Sequence, residues 1–215
     1  MPRAFLQAGI DPDISTRFEE TLAALKAQGY TIQEVELPTL EYALAVYYIV
    51  NPAEVSTNLS RFDGIRYGAR AEADTISETY FKSRGQGLGA EARRRVILGS
   101  FVLSAGYAEA YYRKARAVRE LIRKDFERVF ESVDAIVTPT TPSPAFKFGE
   151  KADPVAMYAE DIFTVPINLA GVPALSVPMG TVERGRSNLP VGFQIIAPHQ
   201  REDILFSIGA IVETT

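Results

Sequence analysis

The spacing of apolar side chains divides the chain into helical and strand-like stretches. Ile14, Phe18, Leu22 and Leu25 recur at intervals of four, four and three, the stripe of an amphipathic helix. Asp11-Pro12 starts it, a capping carboxylate ahead of a proline suited to the first turn, and Gly29 stops it. Residues 31–37 alternate imperfectly through Ile32, Val35 and Leu37, which predicts a short strand. The pattern over 40–59 is helical, and Asn51-Pro52 is expected to kink or break it.

Residues 61–74 mix glycine and arginine with little periodicity and predict an ordered loop. A helix over 75–82 leads to Gly85, Gly87 and Gly89, which read as a flexible hinge. In 90–104, Val96, Ile97, Leu98, Phe101, Val102 and Leu103 leave almost no polar face, and a helix apolar all round is expected to be buried. After Gly106 comes the longest helix, 108–132, with Val118, Ile122, Phe126, Val129 and Val133 as its core stripe. Its arginines and lysines alternate with glutamates and aspartates. That mixture predicts a solvated face with helical ion pairs rather than a nucleic-acid groove.

The texture then changes. Residues 134–138 predict a short buried strand, and 138–144 a Thr/Pro loop. Residues 157–170 are helical, notched by Pro166 and closed by Gly171 with Pro173 beyond. Residues 174–178 and 191–197 are apolar on both faces, like strands of a covered sheet. A loop holding Gly180, Gly185 and Pro190 is expected between them, and a last helix spans 201–212. Helices mixed with buried strands give the α/β class.

Composition narrows the function. At 215 residues the chain is one large domain or one and a half, and 47% apolar with 23% charged residues is ordinary for a soluble globular protein. The absence of cysteine removes disulfides, thiolate nucleophiles and cysteine metal sites, and it fits a reducing cytoplasm. A formal charge of -4 argues against wholesale nucleic-acid binding. Residues 1–10 carry no targeting signal, and the most apolar stretch, 42–50, is far short of the roughly 20 residues a membrane span needs.

Familiar catalytic patterns are missing. No Gly-x-Ser-x-Gly elbow occurs, and one histidine without cysteine builds no usual zinc site, so neither metal nor cofactor is expected. His199 reads as a surface-loop residue. What remains is the run Arg93, Arg94 and Arg95 at the start of the 90–104 helix. Cations there are disfavoured by about 0.3–1 kcal/mol, so they need an anion. Two readings stay open: an ion pair with a core carboxylate, or a bidentate grip on a substrate carboxylate. Glu160-Asp161 is the acidic counterpart, with one carboxylate facing inward to take a ligand amine or to pair with an arginine.

Several stretches carry a resemblance. They are Tyr47-Tyr-Ile-Val-Asn-Pro-Ala-Glu54, Asn58-Leu-Ser-Arg-Phe-Asp-Gly-Ile-Arg-Tyr-Gly68, Arg94-Arg-Val-Ile-Leu-Gly99 and Asp134-Ala-Ile-Val-Thr-Pro-Thr140. Met157-Tyr-Ala-Glu-Asp161, Pro166-Ile-Asn-Leu-Ala-Gly-Val-Pro-Ala-Leu-Ser-Val-Pro178 and Pro190-Val-Gly-Phe-Gln194 complete them. In this order they resemble the amidase-signature family, in particular the A subunits of glutamyl-tRNA(Gln)/aspartyl-tRNA(Asn) amidotransferases. The resemblance implies a mixed β-sheet covered by helices, with residues 1–215 as the C-terminal part of the family's domain, truncated at the N-terminus. It implies hydrolysis of glutamine to ammonia by a serine, a second serine and a lysine. The Gly/Ser-rich run that carries the two serines is not in this sequence, nor is a matching lysine, so the chain alone is expected to be inactive.

Carried over by position, Arg95 (or its neighbour Arg94) would hold the glutamine α-carboxylate, Asp161 its α-amino group, and Tyr47 would line the site. The implied partners are the amidotransferase B and C subunits, with tRNA reached only through the B subunit, no membrane, and a cytoplasmic location. Two other readings fit the sequence: a non-catalytic module binding partner subunits or tRNA, and a fragment of a general amidase.

Overall fold

The structure is a computed structural model that describes residues 1–6, 9–151 and 153–214. The chain divides into two compact units, Met1–Leu44 with Val118–Thr215, and Ala45–Ala117.

In the first unit, a short α1 (Arg3–Leu6) precedes α2 (Pro12–Ala27), which forms as its stripe predicts. Asp11 caps α2 by accepting from the Asp13 amide at 3.0 Å, and Ile14, Phe18, Leu22 and Leu25 are buried. Three strands, β1 (Ile136–Pro139), β2 (Ala174–Arg184) and β3 (Ser187–Ile196), pair antiparallel in the order β1-β3-β2. The sheet implied by the resemblance is thus represented among the described residues by antiparallel pairs, within an α/β chain. α2 and the last helix, α9 (Glu202–Glu213), pack on one sheet face, where Phe18 meets Phe193 with ring centroids 5.3 Å apart. The residues that alternate with this set, Ile136, Thr138, Gln194 and Ile196, are buried as well.

The expected loop between the last two strands is instead the middle of a long hairpin. Pro178 opposes Gly192 and Thr181 opposes Pro190, so Met179 and Gly180 face the single residue Val191. This bulge, with Gly180 at φ 103, inserts one residue and flips the inward parity: Val177 and Met179 are buried before it and Val182 after it. Gly185, at φ 64, occupies the first position of the two-residue turn between Arg184 and Ser187, the place where a hairpin turn of this hand wants glycine.

The strand expected over 31–37 does not form. Among the described residues its backbone-to-backbone pairing is with Met1: the Met1 amine donates to the Gln33 carbonyl at 2.8 Å, and Val35 N–H donates to the Met1 carbonyl at 3.0 Å. A single partner residue leaves no ladder to propagate. A 3₁₀ turn (Pro38–Tyr42) follows, with Thr39 held by the buried Asp125 through its amide at 2.9 Å and its hydroxyl at 2.6 Å.

The second unit is helical. α3 (Ala43–Leu59) runs through Pro52 without ending, so of the expected kink or break the break does not occur. Losing the Pro52 hydrogen bond costs helix stability, and the burial of Pro52, Ala53 and Ser56 offsets it. α4 (Ile76–Gly87) is capped by the Thr75 hydroxyl on Glu78 N–H, and it includes Gly85 and Gly87. The expected glycine hinge is therefore helix, with Gly89 serving as N-cap of α5 (Ala90–Val102).

α5 also departs from expectation. Only Gly99 and Val102 are buried in it, while Ile97 is 71% and Phe101 47% exposed. Apolar content all round marks surface that gains from being covered, and the chain leaves one side of this helix open. A π-helical turn (Ala108–Arg113) leads into α6 (Lys114–Phe130), which crosses into the first unit and buries Ile122, Phe126 and Val129. The π-helical turn and α6 form the predicted ion pairs: Arg113–Glu109 in the turn, and Arg123–Glu120 and Arg128–Asp125 in α6. Among the described residues no helix is long and apolar enough to cross a membrane.

Candidate functional site

Within the second unit, α3 and α5 bring Tyr47 and Arg95 together. Gly89 begins α5 without a side-chain cap, so the first-turn carboxylate of Glu91 supplies the negative charge that the helix N-terminus favours. Glu91 takes two arginines: its Oε1 accepts from Arg95 Nε at 2.9 Å and its Oε2 from Arg94 at 2.9 Å. A surface glutamate of the same turn thus supplies an anion to the arginine run.

The three arginines differ in setting. Arg93 reaches the Gly85 carbonyl at 3.4 Å, and Arg94 is exposed. Arg95 is half-buried, its side chain 27% exposed, and its guanidinium lies beside the Tyr47 phenol. Burial pulls its pKa down, but the hydrogen bond to Glu91 and the neighbouring Tyr47 outweigh that and raise it above the ordinary guanidinium value. The charge is permanent. Tyr47 is fixed in turn against Tyr48, ring centroids 5.1 Å apart at 88°. A partly desolvated, always-charged planar donor beside a phenol is suited to receiving a carboxylate.

Asp161 belongs to the first unit. It closes a 3₁₀ turn (Ala159–Asp161) between α7 (Pro154–Tyr158) and α8 (Val165–Ala170), and it is half-buried. Its carbonyl accepts from Thr164 N–H at 3.1 Å and from the Thr164 hydroxyl at 3.2 Å. Two residues on, the Phe163 carbonyl accepts from Gln194 Nε2 at 2.9 Å, and the same amide nitrogen donates to Thr138 Oγ1 at 2.9 Å. The buried Gln194 therefore ties the turn after Asp161 to β1 and β3.

Glu160 pairs with a lysine rather than with an arginine. Its carboxylate accepts from Ser143 Oγ at 2.5 Å and from Lys151 Nζ. Sequence spacing gave no hint of Ser143 or Lys151, because the three residues meet only when the 140–151 loop folds back on the turn. The one histidine, His199, is exposed as expected, and among the described residues no group of three or more His, Cys, Asp or Glu could hold a metal.

The stretch beginning at Asn58 is a folded loop in the second unit. The buried Asp63 accepts from Ile65 N–H at 2.8 Å and Arg66 N–H at 2.9 Å, and these backbone donors hold its carboxyl below the ordinary range. Gly64, at φ 76, lies so close to Ser83 that a Cβ would stand 2.5 Å from its hydroxyl oxygen. Arg84 donates to the Leu59 carbonyl at 3.0 Å. A groove of about 320 Å³ opens between α4 and α5, lined chiefly by Tyr80, Phe81, Leu88, Val96 and Ile97.

This chain belongs to the amidase family, whose pattern matches residues 1–206. It is 54% identical over 198 residues to the A subunit of the glutamyl-tRNA(Gln) amidotransferase of Symbiobacterium thermophilum, covering 91% of this chain and 40% of that protein. It is 48% identical over 214 residues to the protein of the same name from an Exiguobacterium species, covering 99% and 44%. Among solved structures, the A subunit of the Thermotoga maritima glutamyl-tRNA(Gln) amidotransferase aligns with a TM-score of 0.67 at 38% identity, covering 99% of this chain and 39% of that one. An amidase aligns with a TM-score of 0.74 at 26% identity, covering 99% and 44%. The chain spans about two-fifths of the length of the curated relatives it matches.

Proposed function

We propose that this chain is the substrate-binding part of a glutamine amidohydrolase subunit of a tRNA-dependent amidotransferase. The observation that carries the reading is the Tyr47–Arg95 pair, a half-buried guanidinium oriented by Glu91 and a phenol. In this reading Arg95 binds the glutamine α-carboxylate, Asp161 binds the α-ammonium and Tyr47 lines the site. A glutamine with both groups held presents its side-chain amide to a nucleophile in one orientation. Water then displaces ammonia from the amide carbonyl, leaving glutamate, and ammonia passes to an activated aminoacyl-tRNA held by the B subunit.

The serine, second serine and lysine that perform the hydrolysis lie outside these 215 residues, so the chain by itself turns over no glutamine. The amidotransferase B and C subunits are its partners, tRNA is reached through the B subunit, and the location is the cytoplasm. Residues 1–215 form the C-terminal part of one amidase-signature domain. The test is steady-state ammonia release from glutamine by the chain combined with the upstream part of the family protein. Arg95→Lys, which keeps the charge but not the planar fork, should raise KM on the order of ten-fold. An unchanged KM in Arg95→Lys and Arg95→Ala would remove Arg95 from the site.

One observation favours a second reading. The exposed apolar face of α5, with Ile97 and Phe101, fits a module that binds a partner protein without chemistry. The basic residues of α6 and the turn before it give less support to RNA binding, since Arg113, Arg123 and Arg128 are paired with acidic neighbours.

A further inference from the structure

Lys151 is more fully engaged than a loop lysine needs to be. Its ammonium pairs with Glu160 Oε1, lies 3.3 Å from Ser143 Oγ and stands 5.0 Å from the Phe146 ring centroid. Ser143 in turn donates a hydrogen bond to the other oxygen of the same carboxylate, Glu160 Oε2, at 2.5 Å. The side chains of Lys151 and Glu160 are only 21% and 15% exposed, so the pair is shielded from the solvent that weakens surface ion pairs. Both oxygens of Glu160 are therefore held, one by a cation and one by a hydroxyl.

The clamp has a fixed base. The Pro142 carbonyl accepts from Asp11 N–H at 2.9 Å, and the Thr141 hydroxyl donates to the Ser143 carbonyl at 2.8 Å, so the loop that carries Ser143 is anchored at the start of α2. Asp153 caps α7 by accepting from Ala156 N–H at 3.1 Å, which sets the helical turns leading to Glu160. Asp161 follows directly. It is bracketed on one side by the Glu160 clamp and on the other by Thr164 and the Gln194–Phe163 bond. A short 3₁₀ turn has few hydrogen bonds of its own, so the orientation of a side chain on it depends on such external ties.

We infer that Lys151, acting through Glu160 and Ser143, is a positioning residue that sets where the Asp161 carboxylate stands and so sets affinity for a substrate α-ammonium group. This rests on the reading of Asp161 given above. A carboxylate displaced by a fraction of an ångström binds an ammonium less well but leaves the remote amide chemistry intact. The defect is therefore selective for substrates that carry the ammonium.

The experiment compares glutamine with 4-carbamoylbutanoate, which is glutamine without its α-amino group, as substrates of the chain combined with the upstream part of the family protein. Lys151→Met is expected to raise KM for glutamine on the order of ten-fold with kcat within about two-fold, and to leave both constants for 4-carbamoylbutanoate unchanged. Lys151→Arg should restore the glutamine KM, and Glu160→Gln should behave like Lys151→Met. Asp161→Asn is the control for the underlying reading and should show the same selectivity. Amide exchange over residues 153–161 in each variant separates a loosened turn from a lost fold. An equal loss on both substrates, or no loss on either, in a Lys151→Met chain that is folded overturns the positioning role while leaving Asp161 in place. An Asp161→Asn variant without selectivity overturns the Asp161 assignment and this inference with it.

Discussion

Gly99 of α5 and Pro52 of α3 meet backbone to backbone: a Cβ on Gly99 would lie 1.9 Å from the Pro52 carbonyl oxygen and 2.7 Å from the Ser56 hydroxyl oxygen. No rotamer change relieves a clash with a carbonyl, so any side chain there must push the helices apart. One helical turn before Gly99 stands Arg95, and Tyr47 stands five residues before Pro52. The same close crossing that excludes a Cβ thus sets the distance over which Arg95 reaches Tyr47. Gly99→Ala should destabilise the second unit by about 3 kcal/mol, read by urea unfolding, and weaken substrate binding together with stability.

Gly85 makes the opposite case. It lies inside α4, with nothing within 4 Å of a built Cβ and no positive φ. Gly85→Ala should therefore stabilise the chain by about 0.5–1 kcal/mol in the same unfolding measurement. A hinge role would show the reverse, with lost activity in the combined enzyme despite the added stability.

Gln194→Leu tests the tie between the sheet and the Asp161 turn. The substitution conserves bulk but leaves the Phe163 carbonyl and the Thr138 hydroxyl without their shared donor. Stability should fall by about 1–3 kcal/mol, and proton exchange should rise in the residues around Phe163 before it rises in β3.

Acid should loosen the join between the hairpin tip and α2. Arg184 reaches Asp11 at 2.5 Å and Asp13 at 2.6 Å. Partial burial pushes the Asp11 carboxyl up, but the hydrogen bonds from Arg184 and the Asp13 amide outweigh it and leave the pKa below the ordinary value. A depressed folded pKa means stabilisation that is complete above the unfolded value of about 3.9 and is lost as pH falls through the folded one. Unfolding midpoints measured from pH 5 down to pH 2 should drop less steeply in Asp11→Asn, which keeps a capping side chain but cannot titrate.

The sequence was legible where an element buries its own stripe within this chain. α2 shows this, since Ile14, Phe18, Leu22 and Leu25 have sheet and α9 neighbours in the same unit. It misled where burial was inferred from apolar content alone, because Ile97 and Phe101 state a preference for cover without naming what covers them. The 31–37 segment failed for a related reason: alternation proposes a strand, but a strand exists only with a partner, and Met1 offers one residue. In the hairpin, Gly180 and Gly185 fall in an expected loop, but a bulge and a tight turn keep the ladder intact there. Of the candidate site, the anion requirement of the arginine run followed from charge and helix polarity. The Tyr47–Arg95 contact and the Lys151–Glu160 clamp depend on tertiary placement that no local spacing encodes.

In the proposed function these residues supply the substrate-binding side of a glutamine hydrolase whose reacting groups come from elsewhere. The direct measurement is ammonia release from glutamine by the chain alone, by the upstream part of the family protein alone, and by the two combined. Turnover only in the combination, abolished by Arg95→Ala in a chain that remains folded, is the expected result. Turnover by the chain alone, or a folded combination that releases no ammonia, would contradict this division of roles.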